Sequence, residues 1–168
     1  RKAAPLSNML TVTSNITHDV EDVVVGTKIR LTAEGPGRPA LAVRFATRLP
    51  NAQNETGLGL DTTDFSMALL GAKTVQSLRV VGNIGFAILG DPTNGNRQND
   101  VLIYGASLAR AVTDHAEVVG EVNGRVSTRA GDAFPGTESR GLLNMGARYT
   151  RGLARVDAAL FFGLTPTS

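Results

Sequence analysis

The segment Ala40–Leu49, with the sequence ALAVRFATRL, alternates between large or β-branched residues and small or basic ones. Successive side chains of a β-strand point to opposite faces, whereas a helix would scatter the same residues around its circumference. This period of two therefore predicts a strand with one mainly apolar face and one face that carries Arg44 and Arg48.

The same period recurs along most of the chain. Stretches rich in Gly, Pro, Asn and Asp separate the alternating segments, and these residues favour turns and loops. About nine strands are predicted in this way, at 9–16, 22–31, 40–49, 65–72, 77–89, 101–112, 116–127, 141–150 and 153–164.

The connections between these strands alternate in length. They are long at 50–64, 90–100 and 128–140, and short at 33–39, 73–76, 113–115 and 151–152. Bacterial outer-membrane barrels combine long extracellular loops with short periplasmic turns. The sequence therefore predicts an all-β fold, an antiparallel up-and-down transmembrane β-barrel in the outer membrane of a Gram-negative-type bacterium. The lipid bilayer is the expected partner.

A single barrel domain is predicted over residues 1–168. Single-chain barrels of this class have an even number of strands, and the last predicted strand ends on the long-loop side. The complete barrel is therefore expected to have about 10 to 12 strands. The chain is then interpreted as a fragment that lacks a closing C-terminal strand.

Composition narrows the possible fold classes and binding partners. No segment approaches the roughly 18 consecutive apolar residues of a membrane helix, so spanning a bilayer would require strands. The absence of cysteine removes disulfides and thiolate metal sites. A net charge of +2 without a run of like charges does not indicate nucleic-acid binding, so no nucleic-acid partner is expected.

Several motifs follow one another in a fairly specific order: DVEDVVVGTKIRLTAEGPGRPALAVRFATRLPNA, GLGLDTTDF, VGNIGF, VLIYGASLA, GEVNG and GLTPTS. Over residues 20–168 this order resembles a family of outer-membrane barrels named for the meta-pathway of phenol degradation. The resemblance implies a channel or transporter and, through the family's name, the passage of aromatic compounds. Family members continue past a GLTPTS-like segment into a final strand that ends on an aromatic residue.

If the apolar face meets lipid, the opposite face lines the lumen and its polar side chains are candidate solute contacts. Basic residues are in excess there, which would concentrate anions in a wet pore. Alternatively, the charges pair across strands and fill the lumen, with Arg125 bound to Glu121 and Arg155 bound to Asp157. The candidate residues are Lys28, Arg30, Arg44, Arg48, Arg79, Asn83, Glu117, Glu121, Asn123, Arg125, Arg148, Arg155 and Asp157.

Neither catalysis nor a metal site is predicted. His115 lies in a tight turn, and His18 lies near the opposite rim with Ser14 nearby, so nothing aligns a base on a nucleophile. The long loops carry oxygen ligands of the kind that calcium takes, but no calcium-loop repeat is present, and no cofactor is expected. These loop residues are Asn51, Asn54, Glu55, Asp61, Asp64, Asp91, Asn94, Asn96 and Asp100.

Three functions stay open from the sequence. The first is a channel or transporter for the passive passage of small solutes, anionic or aromatic. The second is a structural or adhesive surface barrel with a blocked lumen, in which the long loops carry the function. The third is a soluble lipocalin-like β-barrel that has its apolar face inside and binds a hydrophobic ligand. The solute and the oligomeric state are left open.

Overall fold

A computed structural model describes residues 20–52 and 59–168, and these residues form an all-β structure. Within them, no helix has the length and hydropathy needed to cross a bilayer. The predicted strand at 9–16 lies outside the described residues. The described strands are β1 (Val23–Thr32), β2 (Ala40–Leu49), β3 (Asp64–Val75), β4 (Leu78–Gly90), β5 (Gln98–Ala111), β6 (Ala116–Ser127), β7 (Arg140–Arg151) and β8 (Ala154–Gly163).

These strands form one sheet in which each strand pairs antiparallel with the next along the chain. The predicted all-β fold with up-and-down strand order is confirmed. One end of the sheet, the short-turn end, has connections at 33–39, 76–77, 112–115 and 152–153. The other, the long-loop end, has connections at 50–63, 91–97 and 128–139.

The turn between β3 and β4 differs from the prediction. Lys73 continues the ladder opposite Val80, and β3 extends to Val75. The chain reverses immediately afterwards, where Gln76 has a φ of 53°. A polar residue such as Lys73 can pair in an exposed hairpin as well as it can form a turn, so its polarity did not mark the strand end.

The sheet is open in the part of the chain that is described. β1 and β8 form its two edges, and every strand pairing there joins consecutive strands. Nearly all residues of both edge strands are exposed. An antiparallel meander closes into a barrel only when its first and last strands pair. Residues 20–52 and 59–168 therefore do not close into a barrel by themselves, and the predicted barrel of 10 to 12 strands stays a prediction.

The two faces of the sheet differ in chemistry and in burial. The apolar face carries Leu69 and Ile84, and most of its large side chains are exposed. The polar face carries the charged and small residues. Its buried side chains lie together near the long-loop end, at Ala46, Ala68, Ala87 and Val101.

Small residues let the strands approach closely on the polar face. A Cβ on Gly85 of β4 would overlap the Met67 carbonyl oxygen and the Ala68 side chain of β3. A Cβ on Gly26 of β1 would lie 3.3 Å from the Cβ of Ala46 on β2. Glycine at such positions permits a tight bend of the sheet, so the face of small residues becomes the concave one.

Candidate solute pathway on the polar face

The strand register places all the predicted lumen residues on the polar face. Lys28 lies opposite Arg44, and the row that begins with this pair continues through β3, β4 and β5 to Arg125 on β6. Neighbouring rows of the same face hold the other predicted residues: Arg30, Arg48, Arg79, Asn83, Glu117, Glu121, Asn123, Arg148, Arg155 and Asp157.

The polar face encloses space. A cavity of about 350 Å³ has Val24 of β1 in its wall on one side and Ile103 of β5 on the other. Its wall also contains Arg44, Arg48 and Asp64. In a flat sheet, strands spaced about 4.8 Å apart would put β1 and β5 about 19 Å from each other. One cavity between them requires that the sheet curve around the polar face.

On β6, β7 and β8 the charges of this face neutralise one another. Arg148 Nη1 lies 3.0 Å from Glu117 Oε2, and Arg148 Nε lies 2.7 Å from Asp157 Oδ1. Arg155 Nε lies 2.8 Å from Asp157 Oδ2, which confirms this predicted pair. We call these four residues the ion-pair ladder. Because two cations face two anions, the ladder has no net charge.

The predicted pair of Arg125 with Glu121 is wrong. The two residues are four apart in β6, which corresponds to about 13 Å along a strand. Arg125 instead donates from Nε to the Glu138 carbonyl at 2.8 Å and from Nη2 to the Gly136 carbonyl at 2.6 Å. Glu121 accepts a hydrogen bond from Asn123 Nδ2 at 2.7 Å. Arg125 therefore holds the loop between β6 and β7.

Three cations on β1 and β2 have no counter-ion within the part of the chain that the structure describes. In the described ranges, Lys28, Arg30 and Arg44 take part in none of the ion pairs. Lys28 and Arg44 are directly opposite each other, a position in which like charges destabilise a sheet. The β1–β2 side of the polar face therefore carries a net positive charge.

Arg48 is different, because it belongs to a cluster at the long-loop end. Arg48 Nη2 lies 2.6 Å from Asp64 Oδ2, and Arg48 Nε lies 3.9 Å from Asp22 Oδ2. Asp22 also accepts backbone hydrogen bonds from Ala52 and Leu60, each at 3.2 Å. It thereby fastens the loop between β2 and β3. Sequence reasoning missed this role because the bonded residues are 30 and 38 positions apart.

The other two long loops are fastened to each other by one aromatic ring. Phe134 lies between two guanidinium groups, with Arg97 Cζ 4.4 Å and Arg129 Cζ 4.2 Å from the ring centroid. Arg97 Nη2 also lies 2.8 Å from Oδ2 of the buried Asp91. Burial raises the pKa of Asp91, but hydrogen bonds from Thr93 and the charge of Arg97 outweigh this effect and hold the pKa below its usual range.

Two predicted residues lie on β4. Asn83 fills the space beside Gly105, since a Cβ at that glycine would lie 2.5 Å from Asn83 Nδ2. Arg79 lies near the short-turn end, opposite Ala109. Within residues 20–52 and 59–168, Arg79 makes no ion pair. It therefore adds to the positive charge of the polar face.

Of the two histidines considered for catalysis, the structure describes one. His115 lies in the turn at 112–115, where its ring contacts Tyr149 at a centroid distance of 6.2 Å. His18, Ser14 and the loop residues 53–58 lie outside the described part of the chain. Among the residues that the structure describes, no three His, Cys, Asp or Glu side chains are grouped as metal ligands would be.

No protein-family model matches this chain, and no curated protein shows significant similarity to it. The family resemblance inferred from the sequence motifs therefore stays a prediction, and a function has to be argued from the two faces of the sheet.

Proposed function

We propose that this chain forms the greater part of an outer-membrane β-barrel channel, in which small solutes pass passively along the polar face and anions are preferred. The observation that carries the proposal is an uncharged band on the apolar face. Within the eight described strands, charged residues occur on that face only near its ends, with Asp100 at the long-loop end and Lys73, Arg110 and Arg151 at the short-turn end.

The height of this band matches a membrane. Asp100 and Arg110 lie at opposite ends of the apolar face of β5. Ten residue steps span about 33 Å along a strand. A strand tilt of about 40° reduces this length to about 25 Å across the membrane, which is the usual height of the apolar band in outer-membrane barrels.

The ends of the band have the side chains expected at a membrane interface. Lys73 reaches the short turn at 33–39, where it donates to the carbonyl oxygens of Gly35 and Pro36. Tyr149 lies at the same end, and the rings of Phe65 and Phe86 lie 6.4 Å apart towards the other end. Aromatic rings and long basic side chains are favoured where lipid tails give way to headgroups.

Exposure of the apolar face argues against the soluble lipocalin-like alternative. A soluble barrel would bury this face, yet Leu69, Ile84, Leu108 and Leu160 are 46%, 56%, 52% and 67% exposed. A contiguous apolar surface of this kind marks contact with another apolar phase. Lipid supplies that phase along the whole length of the strands.

The charges of the polar face support the preference for anions. The ion-pair ladder is neutral, whereas Lys28, Arg30 and Arg44 have no counter-ions among the described residues. In a lumen with low-dielectric walls, fixed unpaired cations raise the local concentration of anions. The polar face therefore favours acidic over basic solutes.

A structural or adhesive barrel with a blocked lumen is the second candidate. The ion-pair ladder favours it, because paired charges on β6–β8 occupy the polar face. The contacts of Arg97 and Arg129 with the Phe134 ring favour a blocked barrel too, because they hold two of the long loops together as one unit. A blocked barrel would have the same uncharged band on its apolar face as a channel. The two candidates differ in whether the protein conducts ions.

Reconstitution of the purified protein into a planar bilayer tests the proposal. We expect stepwise conductance in KCl and, under a KCl gradient, a reversal potential displaced towards that of chloride. Protein that is folded in micelles by circular dichroism but passes no current would indicate the blocked lumen. Protein that stays monodisperse without detergent would remove the membrane assignment itself.

A further inference from the structure

We infer that Lys28 and Arg44 form a subsite on the polar face that binds the carboxylate of a small monocarboxylic acid with an apolar body. The inference rests on the proposed channel function and deepens it, because it names the class of solute and the place where it binds. Three observations carry it: two cations without an ion-pair partner among the described residues, two cavities that share lining residues, and apolar side chains in the walls of both cavities.

Among the described residues, no anion accompanies the cation pair. Lys28 and Arg44 are directly opposite each other on β1 and β2, and the next residue across from Arg44 on β3 is Ala68. Neither cation has an ion-pair partner in residues 20–52 or 59–168. A carboxylate between them would remove their mutual repulsion. The planar Arg44 guanidinium suits bidentate contact, and the Lys28 ammonium adds a point charge.

Space for a solute lies beside this pair. A cavity of about 390 Å³ is lined by Lys28, Arg44, Val24 and Leu70. Val24, Arg44 and Leu70 also line the cavity of about 350 Å³ described above, so the two spaces meet at the same three side chains. Together they accommodate a molecule of several carbon atoms next to the cations.

Apart from Arg44, the shared wall is apolar. Leu70 and Val24 are large apolar residues on a face that otherwise carries mainly charged, polar and small side chains. Beyond them the wall of the 350 Å³ cavity continues with Ala68 and Ala87. An alkyl or aryl body would bury apolar surface against these side chains while its carboxylate contacts the cations.

The charges around the subsite restrict the ligand to a single negative group. Asp64 is part of the wall of the 350 Å³ cavity and already neutralises Arg48. A second carboxylate in that cavity would lie near the Asp64 carboxylate and be repelled by it. Apart from Arg44, the wall there offers no unpaired cation among the described residues to offset this repulsion. On the far side of the polar face the ladder offers no free positive charge, so the subsite is confined to the β1–β2 side.

The test uses the protein in a planar bilayer, with hexanoate as the probe. Hexanoate added to the KCl solution is expected to interrupt the current, and its half-blocking concentration reports binding. The double variant Lys28→Gln, Arg44→Gln should raise that concentration about tenfold, because both charge-assisted contacts are lost. The matched control Arg110→Gln, Arg151→Gln removes the same charge from the apolar face and should leave it unchanged.

Each other outcome overturns a defined part of the inference. Equal block of the wild type and the Lys28/Arg44 variant would refute the subsite and leave the channel standing. Equal block by acetate and hexanoate would refute the apolar part of the ligand. If the wild type passes no current, the channel proposal fails. Calorimetric titration of hexanoate into micelle-held protein then decides the subsite, which is refuted if wild type and variant bind alike or not at all.

Discussion

A charge placed on the apolar face should destabilise the protein according to its depth in the membrane. Leu69 and Val75 lie on the apolar face of β3 and are both about half exposed. Six residue steps between them correspond to about 20 Å along the strand, or about 15 Å of depth at a tilt of about 40°. Leu69 lies midway between Phe65 and Lys73, whereas Val75 lies beyond Lys73 at the short-turn rim.

We expect Leu69→Arg to cost about 2–4 kcal/mol and Val75→Arg about 0–1 kcal/mol, because arginine is costly only at the bilayer midplane. The free energy of unfolding is measured by urea titration of protein folded into lipid vesicles. Circular dichroism follows the transition, since the chain has no tryptophan. Ser107→Arg is the matched control, because its side chain lies on the polar face opposite Glu121 and should cost little.

Equal costs for Leu69→Arg and Val75→Arg would contradict a membrane position for the apolar face. On a sheet in water, an arginine at either of two half-exposed positions would change the free energy of unfolding by a similar amount. Equal values would therefore mean that the apolar face does not cross a membrane. A large cost at Ser107 would equally contradict the assignment of the polar face to a wet lumen.

Three further changes test the sheet and its loops. Gly85→Ala should lower the folded yield because its Cβ would overlap β3, whereas Gly120→Ala, with nothing within 4 Å, should fold normally; resistance to heating in detergent compares them. Phe134→Leu should remove two cation–π contacts worth about 0.5–1 kcal/mol each and speed trypsin cleavage after Arg97. Because the pKa of Asp91 is lowered in the folded loop, the stabilisation that its carboxylate gives the loop is complete above the usual carboxyl range and is lost as pH falls through the lower folded value. The amide protection factors of the loop, which correct the exchange rates for the intrinsic effect of pH, should therefore fall at acidic pH in the wild type and not in Asp91→Asn. Unchanged protection factors in the wild type would contradict this.

Alternation predicted the strands well because it is a local property. The bounds of β2 and β6 agree with the prediction at both ends, since turn residues flank both segments. The same alternation placed all the predicted lumen residues on one face of the sheet, as the strand register has them. Alternation carries no information about whether the first and last strands pair. It therefore could not predict whether the sheet closes.

The pairing of the charges was predictable only in part. Arg155 and Asp157 are two residues apart on one strand, so their contact follows from local geometry. Arg125 reaches carbonyl groups 11 and 13 residues away, and Asp22 binds the loop after β2. Such contacts depend on how the loops fold back over the sheet, and a sequence pattern of period two carries no information about that.

The environment of successive side chains along β5 tests most directly whether the apolar face lies in lipid. The chain has no cysteine, so single cysteines can be placed at positions 102, 103, 104, 106, 107 and 108 and spin-labelled in protein reconstituted into vesicles; position 105 is left out because Asn83 fills the space beside Gly105. Accessibility to oxygen, which dissolves in lipid, and to a water-soluble nickel complex is then measured at each position.

If the apolar face lies in lipid, accessibility along β5 should alternate with a period of two. Labels at Leu102, Tyr104, Ala106 and Leu108 should be accessible to oxygen, and labels at Ile103 and Ser107 to the nickel complex. If all six positions were equally accessible to the nickel complex, the apolar face would not be in lipid, and the channel proposal would be wrong.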